Sequence, residues 1–194
     1  MTPIHSLCVY CGASVGHSQA LIDAAKTLGA GLAARNIRLV YGGGKVGMMG
    51  VLADATLAGG GHVTGVIPNH LQDTEVGHSG VTELKVVDSM HTRKRTMFEL
   101  ADGFVILPGG LGTLDETFEI ITWKQLGLHD KPIVLADIDG YWAPLRALID
   151  AIVDNGFARQ GCRALFEVVD SVPAIFETFA AAPVPQAEAH PGRM

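Results

Sequence analysis

The sequence has little cysteine, no long apolar run and no surplus of cations, and each shortage removes a class of protein. Three cysteines in 194 residues, Cys8, Cys11 and Cys162, are too few and too scattered for a disulfide framework, which fits a reducing compartment. No apolar stretch reaches the ~20 residues that a membrane-spanning helix needs. The start Met1 Thr2 Pro3 Ile4 His5 lacks the basic residues and long apolar core of a secretion signal. A cytoplasmic location with no membrane partner is therefore expected. The formal charge of -6 speaks against a general nucleic-acid binder, because releasing counterions from a phosphate backbone takes a broad cationic surface. Any phosphate must be gripped locally. The eight histidines show no metal-ligand spacing such as HExxH, so no metal and no cofactor is expected. Cys8 and Cys11 form a lone CxxC around Val9 and Tyr10. A redox pair usually opens a helix, and a zinc site needs more ligands than His5 adds, so this pair reads as part of an apolar strand.

What is present is an alternation. Apolar, β-rich runs at Leu7 to Tyr10, Ile37 to Tyr41, His62 to Ile67, Phe104 to Leu107 and Ile133 to Ala136 read as buried strands, with a weaker one near Val81 to Val87. Between them Ser18 to Ala34, Val46 to Ala58, Met90 to Ala101, Thr113 to Leu126 and Tyr141 to Asp154 have helical spacing and Ala/Leu content. Strand–helix alternation of this kind predicts an α/β fold: a single-domain, doubly wound parallel sheet of Rossmann-like type with helices on both faces. Residues 1–179 read as that one domain and 180–194, rich in Ala and Pro, as a disordered tail. The polar stretch Pro68 to Gly80 reads as a long loop over one end of the sheet, where function often resides.

Two strands run into glycine clusters that precede helices: Val40 Tyr41 Gly42 Gly43 Gly44 Lys45 Val46 Gly47, and Leu107 Pro108 Gly109 Gly110 Leu111 Gly112 Thr113. Glycine lets backbone amides approach a phosphate, and the positive end of the following helix favours the anion. One such cluster could equally be a tight turn, but two at equivalent positions point to nucleotide phosphate at the C-terminal edge of the sheet. Neither is a Walker loop, since GxxxxGK followed by Ser or Thr is absent, and the first turn does not match GxGxxG.

Glu116 is the sharpest candidate for chemistry, placed by this pattern on the first turn of the helix that would hold the ligand. Thr113 and Glu116 also spell TxxE, a capping box, in which the carboxylate would only satisfy a backbone N–H. The second candidate is Ser89 Met90 His91 Thr92 Arg93 Lys94 Arg95, whose three cations sit against the macrodipole at a helix start with no acidic run beside them in sequence. Either they are a solvated basic turn or an anionic ligand relieves them.

Tyr41 Gly42 Gly43 Gly44, Met90 His91 Thr92 Arg93 Lys94 and Pro108 Gly109 Gly110 Leu111 Gly112 Thr113 Leu114 Asp115 Glu116 together resemble the Lonely Guy family, often labelled lysine decarboxylase-like. The resemblance spans Leu7 to Val169. It implies a phosphoribohydrolase that cleaves cytokinin riboside 5'-monophosphates, and often AMP, to free base and ribose 5-phosphate, a hydrolase of cytokinin biosynthesis that is usually a homodimer. It makes Arg93 and Glu116 the catalytic pair. It also gives substrate contacts to Met90, Lys94, the run Gly110, Leu111, Gly112, Thr113, Leu114, Asp115 and Glu116, and to Gly43, Gly44, Glu75 and Thr122. Where the family commonly shows CGSS this chain has Cys11 Gly12 Ala13 Ser14, so Ala13 lacks one hydroxyl and the resemblance gives a substrate contact to Ser14.

Such an activity suits the residues. Breaking an N-glycosidic bond builds positive charge on the ribose, which a carboxylate can stabilise as electrostatic partner, nucleophile or base for water. Arg93 stays protonated at any relevant pH and is assigned to orientation and charge. Two other readings compete. A nucleotide or molybdenum-cofactor carrier needs the cradle but not the carboxylate. Lysine decarboxylation normally needs pyridoxal phosphate on a Schiff-base lysine, and nothing marks Lys45 or Lys94 for that role.

Overall fold

A computed structural model describes residues 4–72 and 76–182. Its strands are β1 (Ser6–Tyr10), β2 (Arg38–Tyr41), β3 (Val63–Pro68), β4 (Glu83–Val87), β5 (Gly103–Ile106), β6 (Ile133–Ala136) and β7 (Glu167–Val169). Between and after them run α1 (Gln19–Ala34), α2 (Gly47–Ala58), α3 (Met90–Leu100), α4 (Leu111–Gln125), α5 (Ala143–Asp154) and α6 (Val172–Ala181). All seven strands join one parallel sheet in the order β4-β3-β2-β1-β5-β6-β7.

The strand sequences explain why both faces are covered. Every residue of β1, β3, β5 and β6 is buried, as expected of parallel strands sandwiched between helices. Side chains alternate sides within them. Leu7 and Val9 enter the core shared with Leu28 and Leu32 of α1, Leu52 of α2 and Ile175 and Phe179 of α6. Cys8 and Tyr10 enter the opposite core with Met97 and Phe98 of α3, Ile120 of α4 and Leu145 of α5. The second core is ordered by aromatic contacts, Phe98 lying 5.8 Å from Phe104 and edge-on to Trp123 at 5.1 Å.

Chain direction locates the ligand site. From β1 the chain winds outward through β2, β3 and β4, then returns to place β5 against the free side of β1, Leu7 pairing with Gly103 and Tyr10 with Ile106. That reversal opens a crevice beyond the C-terminal ends of β1 and β5, where open α/β sheets take ligands.

Three expectations change. The tail reading placed at 180–194 starts too early, because Ala180 and Ala181 close α6; residues 183–194 lie outside the described residues. β7 and α6 themselves were not expected: β7 has three residues, and α6 was hidden in an Ala- and Pro-containing stretch. Its signature was nonetheless present, with Pro173 in the first turn and Val172, Ile175 and Phe179 buried at helical spacing. The loop expected from Pro68 is shorter, since Pro68 still belongs to β3 and Asn69–Leu71 forms a single 3-10 turn.

Candidate active site

The crevice holds a cavity of about 440 Å³. Its walls come from the end of β1 and the following turn, from the start of α4, from Gly42 after β2, and from Arg93 of α3. Tyr141, between a 3-10 turn and α5, completes the rim.

The second glycine cluster is built to bring backbone to this cavity. At Gly109 a side chain is impossible: a Cβ would stand 2.1 Å from the Thr113 hydroxyl and 2.9 Å from the Gly12 nitrogen. The close approach is reinforced by the Gly12 amide donating to the Pro108 carbonyl at 3.1 Å. Gly110 is the N-cap of α4, and the first helical bond of that turn runs from the Leu114 amide to the Gly110 carbonyl at 3.0 Å. The amides of a helix's first turn have no partner within the helix. Here they belong to Leu111, Gly112 and Thr113, all on the cavity wall, which is the arrangement that receives an anion.

This start corrects the capping reading. A capping box needs Thr113 at the N-cap, but the helix begins two residues earlier at Leu111, because Gly110 supplies the extended entry. Thr113 instead accepts through its carbonyl from the Thr117 hydroxyl at 2.6 Å. Glu116 thus lies on the second turn rather than the first, buried with 9% exposure, and lines the cavity. Its charge is felt nearby. Burial first, and then the Glu116 carboxylate, push the Cys11 thiol well above its ordinary value, while Arg93 works the other way. Cys8 is raised by the same two causes. Both cysteines are buried and free, so the CxxC is structural and its thiols stay protonated.

Arg93 is 4% exposed, an unusual place for a guanidinium, and backbone carbonyls hold it there. Its Nη2 donates to the Gly42 carbonyl at 2.7 Å and its Nε to the Val66 carbonyl at 3.2 Å, while Nη1 approaches Met90 Sδ at 3.8 Å. The first glycine cluster serves Arg93 directly: Gly42 supplies the carbonyl and lines the cavity, while Gly43 and Gly44 are not among the lining residues. That turn is braced by an antiparallel bridge from Gly44 to Gly77 and by the His78 amide donating to the Gly43 carbonyl at 2.9 Å. The buried His78 ring meets Asp54 of α2 at 2.9 Å.

The basic run at the start of α3 also finds its acids, on α4 and one turn along its own helix. Lys94 bridges to Asp115 at 3.1 Å and Glu119 at 3.0 Å on α4, and Arg95 to Glu99 one turn along its own helix at 2.8 Å. Burial works against the Lys94 charge, yet the bonds to Glu119 and Asp115 outweigh it and hold its pKa above the ordinary lysine value. Ser89 caps α3, its hydroxyl accepting from the Thr92 amide at 3.2 Å.

Of the residues singled out in the sequence, the cavity brings together Ser14, Arg93, Gly110, Leu111, Gly112, Thr113 and Glu116. Met90 touches it only through Arg93, and Lys94 and Asp115 are bound to each other beside it. Leu114 packs into the core beneath α4, and Thr122 is exposed near the far end of that helix. Glu75 lies outside the described residues. The sequence reading took Tyr141 only as a helix start, and no local pattern distinguishes it.

Comparison with known proteins decides the family. The family model described as "Possible lysine decarboxylase" matches residues 49–179. An Oryza sativa subsp. japonica protein named "Probable cytokinin riboside 5'-monophosphate phosphoribohydrolase" is 47% identical over 171 residues, covering 88% of this chain and 75% of its own length. An Arabidopsis thaliana cytokinin riboside 5'-monophosphate phosphoribohydrolase is 46% identical over 171 residues, covering 88% and 79%. The chain belongs to the Lonely Guy family. Among solved structures, the molybdenum cofactor binding protein of Rippkaea orientalis superposes with a TM-score of 0.69 at 18% identity, covering 93% of this chain and 98% of that one. At that identity the likeness is one of fold.

The decarboxylase wording of the family model does not fit the Lonely Guy cavity seen here. Among the described residues no lysine lines it: Lys45 is exposed and Lys94 is held by two carboxylates. A Schiff-base lysine has to reach its cofactor with an uncharged amine, so pyridoxal phosphate has no attachment point. Nor, among the described residues, do three potential metal ligands gather anywhere.

Proposed function

We propose that this protein cleaves the N-glycosidic bond of a nucleoside 5'-monophosphate, a cytokinin riboside 5'-monophosphate or AMP, releasing the free base and ribose 5-phosphate. One observation carries the reading: a buried carboxylate, Glu116, and a buried guanidinium, Arg93, line the same cavity as the glycine-rich start of α4. A carrier needs only the last of these. The names of the plant relatives support the same assignment.

The geometry divides the labour. The 5'-phosphate binds at the first turn of α4, where amides and macrodipole favour an anion. Glu116, one helical turn deeper, faces the ribose and stabilises the oxocarbenium-like charge as the bond to the base breaks. Arg93, locked on the Gly42 and Val66 carbonyls, contributes fixed positive charge and orientation. Water supplies the hydroxyl that ends on the sugar, and the proton goes to the base. Binding energy gathered at the phosphate positions the sugar, so adenosine should be a poor substrate beside AMP.

The test is to incubate the protein with AMP and with N6-isopentenyl-AMP and to look for free base and ribose 5-phosphate by chromatography. Both nucleotides surviving intact with folded protein would sink the reading.

Gly112 offers a sharper check of the phosphate end. A Cβ there meets nothing within 4 Å, so Gly112→Ala fits and should strengthen α4 by roughly 0.5–1 kcal/mol. The added methyl narrows the anion's approach, so the KM for AMP should rise roughly tenfold while the melting temperature holds or increases. Steady-state kinetics and thermal unfolding on the same preparation read both.

The same reading takes the chain through the end of α6 as one working domain in a cytoplasmic homodimer. Leu111, 86% exposed at the cavity mouth, is the kind of side chain a second copy would cover, and light scattering on the purified protein gives the mass.

A further inference from the structure

Tyr141 stands where a neutral side chain can tune an anion site. Its hydroxyl donates to the Gly109 carbonyl at 2.7 Å, and both residues line the cavity. The first-turn amides of this wall favour an anion, but a bare carbonyl oxygen beside them does not: its negative end repels a phosphate in the same cavity. The phenol occupies that oxygen with a proton.

The position of Tyr141 is set from below. It follows a 3-10 turn, Ile138–Gly140, in which Asp139 (φ 56) and Gly140 (φ 69) are both left-handed. A left-handed non-glycine residue costs free energy and persists only where surrounding contacts impose it. Here they do. Ser18 bonds the Asp139 carboxylate at 3.1 Å, the Trp142 amide bonds Asp137 at 2.6 Å, and Trp142 is buried in the core with its ring 4.8 Å from that of Tyr141, edge to face. The tyrosine is thereby aimed across the crevice while the residue stays 43% exposed.

We propose that Tyr141 is a positioning residue of the phosphate subsite: by donating to the Gly109 carbonyl it fixes the loop before α4 and masks a repulsive oxygen beside the first-turn amides. This rests on the hydrolase reading only for the identity of the substrate. Removing the hydroxyl by Tyr141→Phe keeps the ring and its contact with Trp142, so the fold is unaffected.

Two measurements on wild type and Tyr141→Phe test it: the affinity for inorganic phosphate by calorimetric titration, and KM and kcat with AMP. The expected result is a three- to tenfold weaker phosphate affinity, about the worth of one hydrogen bond, with a matching rise in KM, kcat within about twofold and the same melting temperature. Unchanged phosphate affinity overturns the proposal, as does a loss accompanied by an equal fall in kcat and a lowered melting temperature, which marks a general loosening. The two readings fail separately. A wild type that binds phosphate but leaves AMP intact refutes the hydrolase and spares Tyr141, whereas active enzyme with an indifferent Tyr141→Phe does the reverse.

Discussion

Glu116→Gln is expected to lower kcat on AMP by about 10²–10³-fold, the range found when one charge-stabilising group is removed from an active site. The protein should stay folded, as thermal unfolding would show, and KM should move little. Glutamine matches glutamate in shape and in its place on the second turn of α4, so it preserves packing at a position with 9% exposure. It lacks the negative charge that the developing oxocarbenium ion requires. The structure makes this experiment cleaner than the sequence suggested. With Gly110 as the N-cap, Thr113 and Glu116 form no capping box, and a loss of activity is not explained by a lost box. Retention of full turnover by a folded Glu116→Gln protein would remove Glu116 from the mechanism.

Arg93→Ala should damage both activity and stability. The truncation strips a donor from the Gly42 and Val66 carbonyls, buried beside it and bonded at 2.7 and 3.2 Å. Each unsatisfied buried acceptor costs about 1–3 kcal/mol, so unfolding in urea should show a loss of roughly 2–5 kcal/mol. kcat/KM should fall about 10²-fold or more. Arg93→Lys separates the causes. It keeps the charge but has one nitrogen where two carbonyls wait, so it should recover only part of the stability and little of the rate. If Arg93→Lys turned over AMP like the wild type, fixed geometry would not be what Arg93 contributes.

The fold was legible because parallel strands buried on both faces read as unbroken apolar runs, and β1, β3, β5 and β6 are of this kind. β7 escaped because three residues carry no periodicity. α4 was misplaced at its start because its cap is a glycine, which has no side chain to announce it, while TxxE two residues later advertised a cap that is not there. The chemistry of the site was legible in residue types and not in their settings. Nothing local says that Lys94 meets carboxylates 21 and 25 positions away, or that Arg93 is seated on carbonyls from two other segments. Such partnerships exist only once α3 lies against α4, β3 and the turn after β2. Tyr141 shows the same limit: its hydrogen bond spans 32 positions to Gly109, and only the sheet brings the two together.

The pairing of β1 with β5 also sets when the protein can first hold its ligand. Three other strands separate Leu7 from its neighbour Gly103 along the chain, and closing so long a loop is slow compared with forming adjacent βαβ units. An emerging or refolding chain therefore possesses no nucleotide site until its two distant halves have zipped together. Nucleotide captures the finished sheet and no earlier species, so it should slow unfolding without hastening the first steps of folding, and its binding can serve as a clock for the last one.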